Sequence, residues 1–239
     1  MNIFKKKDPK MENFKKEFSE FLRKDQNKRF EISENDWYPC LNDNTEYTGF
    51  DSHYVYHPAW AARVVKEINP KFHLDISSTL HFCSILSAFI DVKFYDYRPA
   101  QLNLSNLESG KIDLTNIFFE SNSIESVSCM HTVEHIGLGR YGDPLDPEGD
   151  LKAINELKRI VKIGGNLLFV TPIGKPKIMY NAHRIYSYEM IMDAMTGFTL
   201  KEFSMIYDNH DFINNANPDD VKLQNYACGC FWFVKNDYL

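Results

Sequence analysis

Residues 129–143 read CMHTVEHIGLGRYGD, and within them His131, Glu134 and His135 carry two imidazoles and a carboxylate at the spacing H-x-x-E-H. In a helix, positions i, i+3 and i+4 share one face, so the three side chains could reach a single point, as they do around the zinc of certain peptidases. The flanking residues argue against that use. IESVSCM, on the N-terminal side, alternates like a strand, and GLGRYGDP, on the C-terminal side, brings three glycines and a proline that forbid a long helix. The cluster therefore belongs to a loop at the end of a strand. Arg140, Tyr141 and Asp143 lie in the irregular segment beyond it, placed to contact an anionic or hydroxylated substrate.

Such a loop needs a scaffold, and the pattern from residue 58 onward supplies one. Helical and extended segments alternate, which predicts a parallel sheet covered by helices. PAWAARVVKEIN reads as a helix, KFHLDIS as a first strand, LHFCSILSAF as a helix and VKFYDY as a second strand ending at Asp96. A short extended piece at Ile112–Asp113 follows, then the strand SIESVSCM. DLKAINELKRIV has an apolar stripe of Leu151, Ile154, Leu157 and Val161 and is expected to end at Gly164–Gly165, before the strand NLLFVTP. FTLKEFSMIYD and YACGCFWFVK close the sheet as a late antiparallel hairpin around a polar insertion at 208–225. The expected fold is α/β, a doubly wound and mostly parallel Rossmann-like sheet. Ligands of such sheets gather beyond the carboxyl ends of the strands, where Asp75, Asp96, Asp113 and the His131–His135 cluster fall. Singly each aspartate reads as a cap or turn residue; three at successive strand ends point to binding.

Composition sets limits. The 239 residues suit one α/β core at 57–239 with an N-terminal helical extension and loop at 1–56, in which Phe14, Phe18, Phe21 and Leu22 recur at helical spacing. That extension reads as a solvated docking helix. The chain is 44% hydrophobic and 25% charged, and no apolar run approaches a membrane span. A net charge of −6 argues against nucleic acid and for a small-molecule partner. Five cysteines, with Cys83 and Cys129 in apolar contexts, suit a reducing cytoplasm, and Cys228 and Cys230 read as small core residues on one face of a strand. The oligomeric state is open.

In order and spacing, LDISS, YDYRP, DLTNIFFESNSIESVSCMHTVEHI and ELKRIVKIGGNLLFVTP resemble the class I S-adenosylmethionine (SAM)-dependent methyltransferases. YHPAWAAR, EHIGLGRYGDPLDPEGDLKAINELKRI and NAHRIYS resemble a methyltransferase-like bacterial family often placed near surface-polysaccharide genes. The resemblance implies that Asp75 lies near the methionine amino group, that Asp96 accepts from the ribose hydroxyls and that Asp113 with Leu114 flanks the adenine. It also implies that His57 and Trp60 cover SAM from the N-terminal side, although a tryptophan such as Trp60 is more often core. One departure stands out: Ser77 and Thr79 occupy places where this class usually carries glycines.

Some O-methyltransferases, including small-RNA 3′-end enzymes, carry an E-x-x-E-H metal site where this chain has His131, Glu134 and His135, and the RNA enzymes add a histidine in the region of His183. The resemblance thus implies a divalent metal (Mn, Fe or Zn) on His131, Glu134, His135 and His183, the alternative being that these residues only brace the loop. The expected activity is O-methylation of a small hydroxylated substrate, a sugar or sugar-nucleotide, with the metal or His131 as base. A cofactor-less scaffold, favoured by Ser77 and Thr79, and RNA 3′-end methylation are the rival readings.

Overall fold

The computed structural model describes residues 8–237, which form two compact units dividing between Phe50 and Asp51. In the N-terminal unit, helix α1 (Pro9–Lys24) is capped by the Asp8 carboxylate, which accepts from the Lys10 amide. The rings of Phe14 and Phe18 meet Trp37 edge-on, at centroid distances of 5.3 and 5.2 Å, while Phe21 stays exposed.

The second unit opens with α2 (Ser52–Ile68), which starts six residues ahead of Pro58 because Asp51 caps it through the Tyr54 amide. Next come β1 (Phe72–Ile76), α3 (Leu80–Leu86), β2 (Asp91–Asp96), β3 (Leu107–Lys111) and β4 (Ile124–Met130). A single 3-10 turn at Val133–His135 and a loop lead into α4 (Gly149–Ile160), β5 (Val161–Ile173), β6 (Lys177–Met179), β7 (His183–Ile185) and α5 (Tyr188–Ala194). The chain closes with β8 (Phe198–Ile206), β9 (Phe212–Ile213) and β10 (Ala227–Lys235). The main sheet has the order β3-β2-β1-β4-β5-β10-β8-β9, parallel from β3 to β5, with β10 antiparallel to both β5 and β8. The doubly wound, mostly parallel sheet with an antiparallel C-terminal hairpin is as expected, and β10 slots inside β8 instead of beyond it.

Two apolar clusters cover the two faces. One joins Trp60, Val64, Phe82 and Leu86 of α2 and α3 to Phe94, Val170, Cys228 and Cys230. The other packs Ala153, Ile154, Leu157 and Ile160 of α4 against Val127, Leu167 and Phe169. Each fully buried Ile or Leu there contributes roughly 1.5–3 kcal/mol.

Three expectations give way. The α4 stripe does not run through Leu151, which is 47% exposed, since Ala153 and Ile160 take the inward positions. Nor does α4 reach Gly164–Gly165: it stops at Ile160, and Gly164, at φ +70°, bends a strand already begun at Val161. The third parallel strand lies at Leu107–Lys111, just ahead of the Ile112–Asp113 piece.

Candidate functional site

A cavity of about 250 Å³ opens at the carboxyl edge of β1, β2 and β4. Its walls include Ser77, Asp96, Asp113 and Leu114, together with His131, His135, Tyr141 and Asp143, and in addition Tyr97 and Arg98. The sheet order accounts for this convergence, because β2, β1 and β4 are neighbours and their following loops face one space.

The first-strand loop lacks glycine but has glycine's geometry. Ser77 sits at φ +57°, its amide donating to the Tyr95 carbonyl at 2.8 Å and its own carbonyl accepting from the Thr132 hydroxyl at 2.9 Å. These two bonds hold a left-handed residue that would otherwise be unfavourable by about 1–2 kcal/mol. Thr79 stays out of the cavity: it caps α3, its hydroxyl accepting from the Phe82 amide.

Asp75 does not line the cavity either. It is fully buried on β1, where Oδ1 accepts from the Ser128 hydroxyl at 2.6 Å and Oδ2 has no partner. Burial pushes its carboxyl up to about 7 against the pull of that hydroxyl. Ser128 in turn accepts from His73, whose other ring nitrogen meets Ser126, giving a buried chain from Ser126 to Asp75. The buried Ser78 hydroxyl lies beside Asp75 and pulls its carboxyl in the same sense as Ser128. Asp96 ends β2 with Oδ1 accepting from the Arg98 amide, and Asp113 closes a turn by accepting from the amide and hydroxyl of Thr115.

The motif itself is one 3-10 turn, a conformation without the long helix of a zinc peptidase. His131 adopts φ +54° and has both ring nitrogens engaged, Nδ1 with Glu134 Oε1 at 3.0 Å and Nε2 with Cys228 Sγ at 3.3 Å. Glu134 is fully buried, and its Oε2 has no partner. His135 differs from His131. Its Nδ1 donates to the Ala182 carbonyl at 2.6 Å, which leaves Nε2 as the lone-pair nitrogen, 3.8 Å from Glu134 Oε1.

His183, on β7, lies with its ring 6.4 Å from that of His135 and 5.0 Å from that of Tyr226. Partial burial lowers its basicity, against the attraction of Glu134. The expected quartet of His131, Glu134, His135 and His183 does not gather its donor atoms round one point. Among the described residues, the group of three or more donors within 4.8 Å of one another is His53, His131 and Cys228.

The loop after the motif is braced from inside. Gly137, at φ +80°, passes so close to the Asp146 carbonyl that a Cβ would lie 2.0 Å from it. Asp143 lines the cavity and also braces the loop: its carboxylate accepts from the amides of Gly137, Gly139 and Tyr141. Partial burial pushes that carboxyl up, but the amides outweigh it and hold it below the usual range. Arg140 donates to the Ala182 carbonyl and lies 5.0 Å from the Tyr141 ring, whose centre is 4.5 Å from Arg98. Tyr141 is thus held by two guanidinium groups at the mouth of the cavity. Arg184, 5% exposed, donates to the Ile136 and Pro147 carbonyls and pairs with Asp150 at 3.5 Å, fastening both ends of the loop.

His57 is buried, Nδ1 donating to the His53 carbonyl and Nε2 without a partner, and burial holds its ring neutral. Trp60 is core, its indole donating to Glu202. Neither lines the cavity. Sequence reasoning missed Arg98, Arg184, Asp150 and His53; the Arg in YDYRP, two residues past the second-strand acid, was the one local pointer among them.

This sheet order, with its cavity at the carboxyl edge, is the class I SAM-dependent methyltransferase fold. The chain is similar to the YcgJ protein of Bacillus subtilis, at 11% identity over 76% of this chain and all of that one, with a TM-score of 0.53. It is similar at 7% identity to 1,6-didemethyltoxoflavin-N1-methyltransferase of Burkholderia thailandensis, solved with S-adenosylhomocysteine, over 76% and 79% of the chains with a TM-score of 0.55. The N-methyltransferase NodS of Bradyrhizobium japonicum, also solved with S-adenosylhomocysteine, matches at 12% over 74% and 85%, with a TM-score of 0.52. The chain belongs to the family described as "Caenorhabditis protein of unknown function, DUF268", whose profile matches residues 104–225. That description replaces the bacterial family expected from sequence. No curated protein matches the chain in sequence. Among the described residues no helix is long and apolar enough to cross a membrane.

Proposed function

We propose that the protein is a SAM-dependent O-methyltransferase acting on a small hydroxylated substrate, a sugar or sugar-nucleotide, in the cytoplasm. The observation that carries the reading is the cavity at the carboxyl edge of β1, β2 and β4, with Asp96, Asp113, Leu114 and left-handed Ser77 in its walls.

SAM supplies an electrophilic methyl group on a sulfonium. Asp96 would accept from the ribose diol, and Leu114 would cover the adenine. His135 takes the role of base in place of His131, both of whose ring nitrogens are engaged. His135 Nε2 would accept the proton of the acceptor hydroxyl while Nδ1 keeps its bond to Ala182, and the Glu134 carboxylate would stabilise the imidazolium that forms. Bound there, SAM would pass its methyl group to the acceptor oxygen and depart as neutral S-adenosylhomocysteine, while His135 would hold the acceptor's proton. Arg98 and Tyr141 would position a phosphorylated or hydroxylated acceptor at the mouth.

The test is transfer of label from methyl-labelled SAM to a panel of sugars and sugar-nucleotides, by wild type and His135→Gln. Transfer that falls about 10²- to 10⁴-fold in the variant, with SAM affinity unchanged, supports the reading. Equal transfer by the variant removes His135 from the mechanism. Absence of both transfer and SAM binding favours a cofactor-less scaffold.

A further inference from the structure

Behind the cavity wall, three elements bring soft metal donors together: His53 from α2, His131 after β4 and Cys228 at the start of β10. All three are buried, at 9%, 9% and 0% exposure, and their donor atoms lie within 4.8 Å of one another. We propose that His53, His131 and Cys228 form a zinc site, a ligand set that shares only His131 with the one the sequence resemblance implies and that does not depend on methyl transfer.

Geometry agrees with this assignment. Zn–N bonds of about 2.0 Å and a Zn–S bond of about 2.3 Å place tetrahedral ligand atoms roughly 3.3 to 3.6 Å apart. His131 Nε2 and Cys228 Sγ are already 3.3 Å apart. The His53 ring lies within 20° of parallel to that of His131, with centroids 5.6 Å apart, and its donor nitrogen is within 4.8 Å of the other two donors.

His131 is held as a metal-bound histidine is held. His131 presents Nε2 to the cluster while Nδ1–H donates to the Glu134 carboxylate, an arrangement that fixes the tautomer and raises the basicity of the ligating nitrogen. Two partnerless buried atoms accompany the cluster: Glu134 Oε2, and Nε2 of His57, whose ring lies 5.0 Å from that of His131. A hydrogen-bonded core contains few such atoms, and a bound ion with its water gives them partners. Charge balances as well, since the thiolate and the Glu134 carboxylate together offset the dication. Binding would release the Cys228 thiol proton to solvent and leave the His131–Glu134 proton in place. One thiolate, two imidazoles and a fourth position for water suit zinc better than magnesium, which demands oxygen.

The full chain, purified without chelator and titrated with Zn²⁺ and then Co²⁺, tests the proposal. One zinc per chain is expected, together with a thiolate-to-cobalt charge-transfer band that disappears in Cys228→Ser and survives in Cys230→Ser. Zinc affinity should fall at least about tenfold in His53→Gln and about 10- to 100-fold in Glu134→Gln, and stay at the wild-type value in His183→Ala. Urea midpoints of the metal-free proteins separate lost binding from lost folding. Absence of zinc from a folded wild type, a cobalt band that persists in Cys228→Ser, or zinc that depends on His183 instead of His53 overturns the site. The readout is independent of SAM, so it stands or falls apart from the methyltransferase reading.

Discussion

Asp75→Asn is expected to stabilise the protein, by an amount that grows with pH. The carboxyl is fully buried, with one oxygen on the Ser128 hydroxyl and the other without a partner, and burial raises it from 3.8 to about 7. A group raised in the folded state contributes stability that is fully present below its unfolded value and lost as pH rises through the folded one. The interval from 3.8 to about 7, at 1.36 kcal/mol per unit, is worth about 4 kcal/mol. His73 works in the opposite sense: burial pulls it from 6.5 to about 3, so its effect makes stability rise with pH across that range. In the wild type the two slopes oppose each other between pH 4 and 6.5, and only the comparison with the variant isolates Asp75. Asparagine keeps an acceptor for Ser128 and removes the buried charge. Urea unfolding of both proteins from pH 4 to 8.5 should show a small difference at pH 4 that grows to about 4 kcal/mol in favour of the variant by pH 8. A difference that ignores pH, or one that favours the wild type as pH rises, refutes the burial argument. If Asp75 also serves SAM, the stabilised variant binds it more weakly, a trade of stability for function.

Ser77→Gly should leave stability within about 1 kcal/mol of wild type, and Ser77→Val should lower the thermal midpoint by a clear margin, because a β-branched residue at φ +57° is strained. Calorimetry checks both. Arg184→Met removes the cation from the Asp150 pair and from the two loop carbonyls, and should be destabilising by about 3–5 kcal/mol in urea, since it leaves a buried carboxylate uncompensated. Tyr141→Ala removes the ring held between Arg98 and Arg140, and hydrogen exchange in segment 137–146 should quicken, whereas Tyr141→Phe should exchange like the wild type.

What the sequence disclosed followed from local pattern. Strands β1, β2 and β4 and helix α4 were legible because apolar residues recur at the period each element buries, and once they are ordered as a parallel sheet, Ser77, Asp96, Asp113 and His135 must meet at one edge. Strand β3 escaped because it lies at the sheet edge, its residues are polar apart from Leu107, and Gly110 makes room there for the Tyr95 ring. Gly164–Gly165 looks like a helix stop, whereas the turn it makes falls inside β5. The joining of His53 and Cys228 to His131 depends on contacts far apart in sequence, which no short spacing encodes. Asp143 has a second role that no spacing discloses: it lines the cavity while three amides of its own loop donate to it.

Calorimetric titration of the full chain with S-adenosylhomocysteine, beside Asp96→Asn, decides whether the cavity holds the cofactor. Micromolar binding by the wild type and a loss of about tenfold or more in the variant are expected, because one of the two acceptor oxygens for the ribose diol becomes a donor. No heat from a folded wild type, or equal affinity in the two proteins, contradicts that assignment.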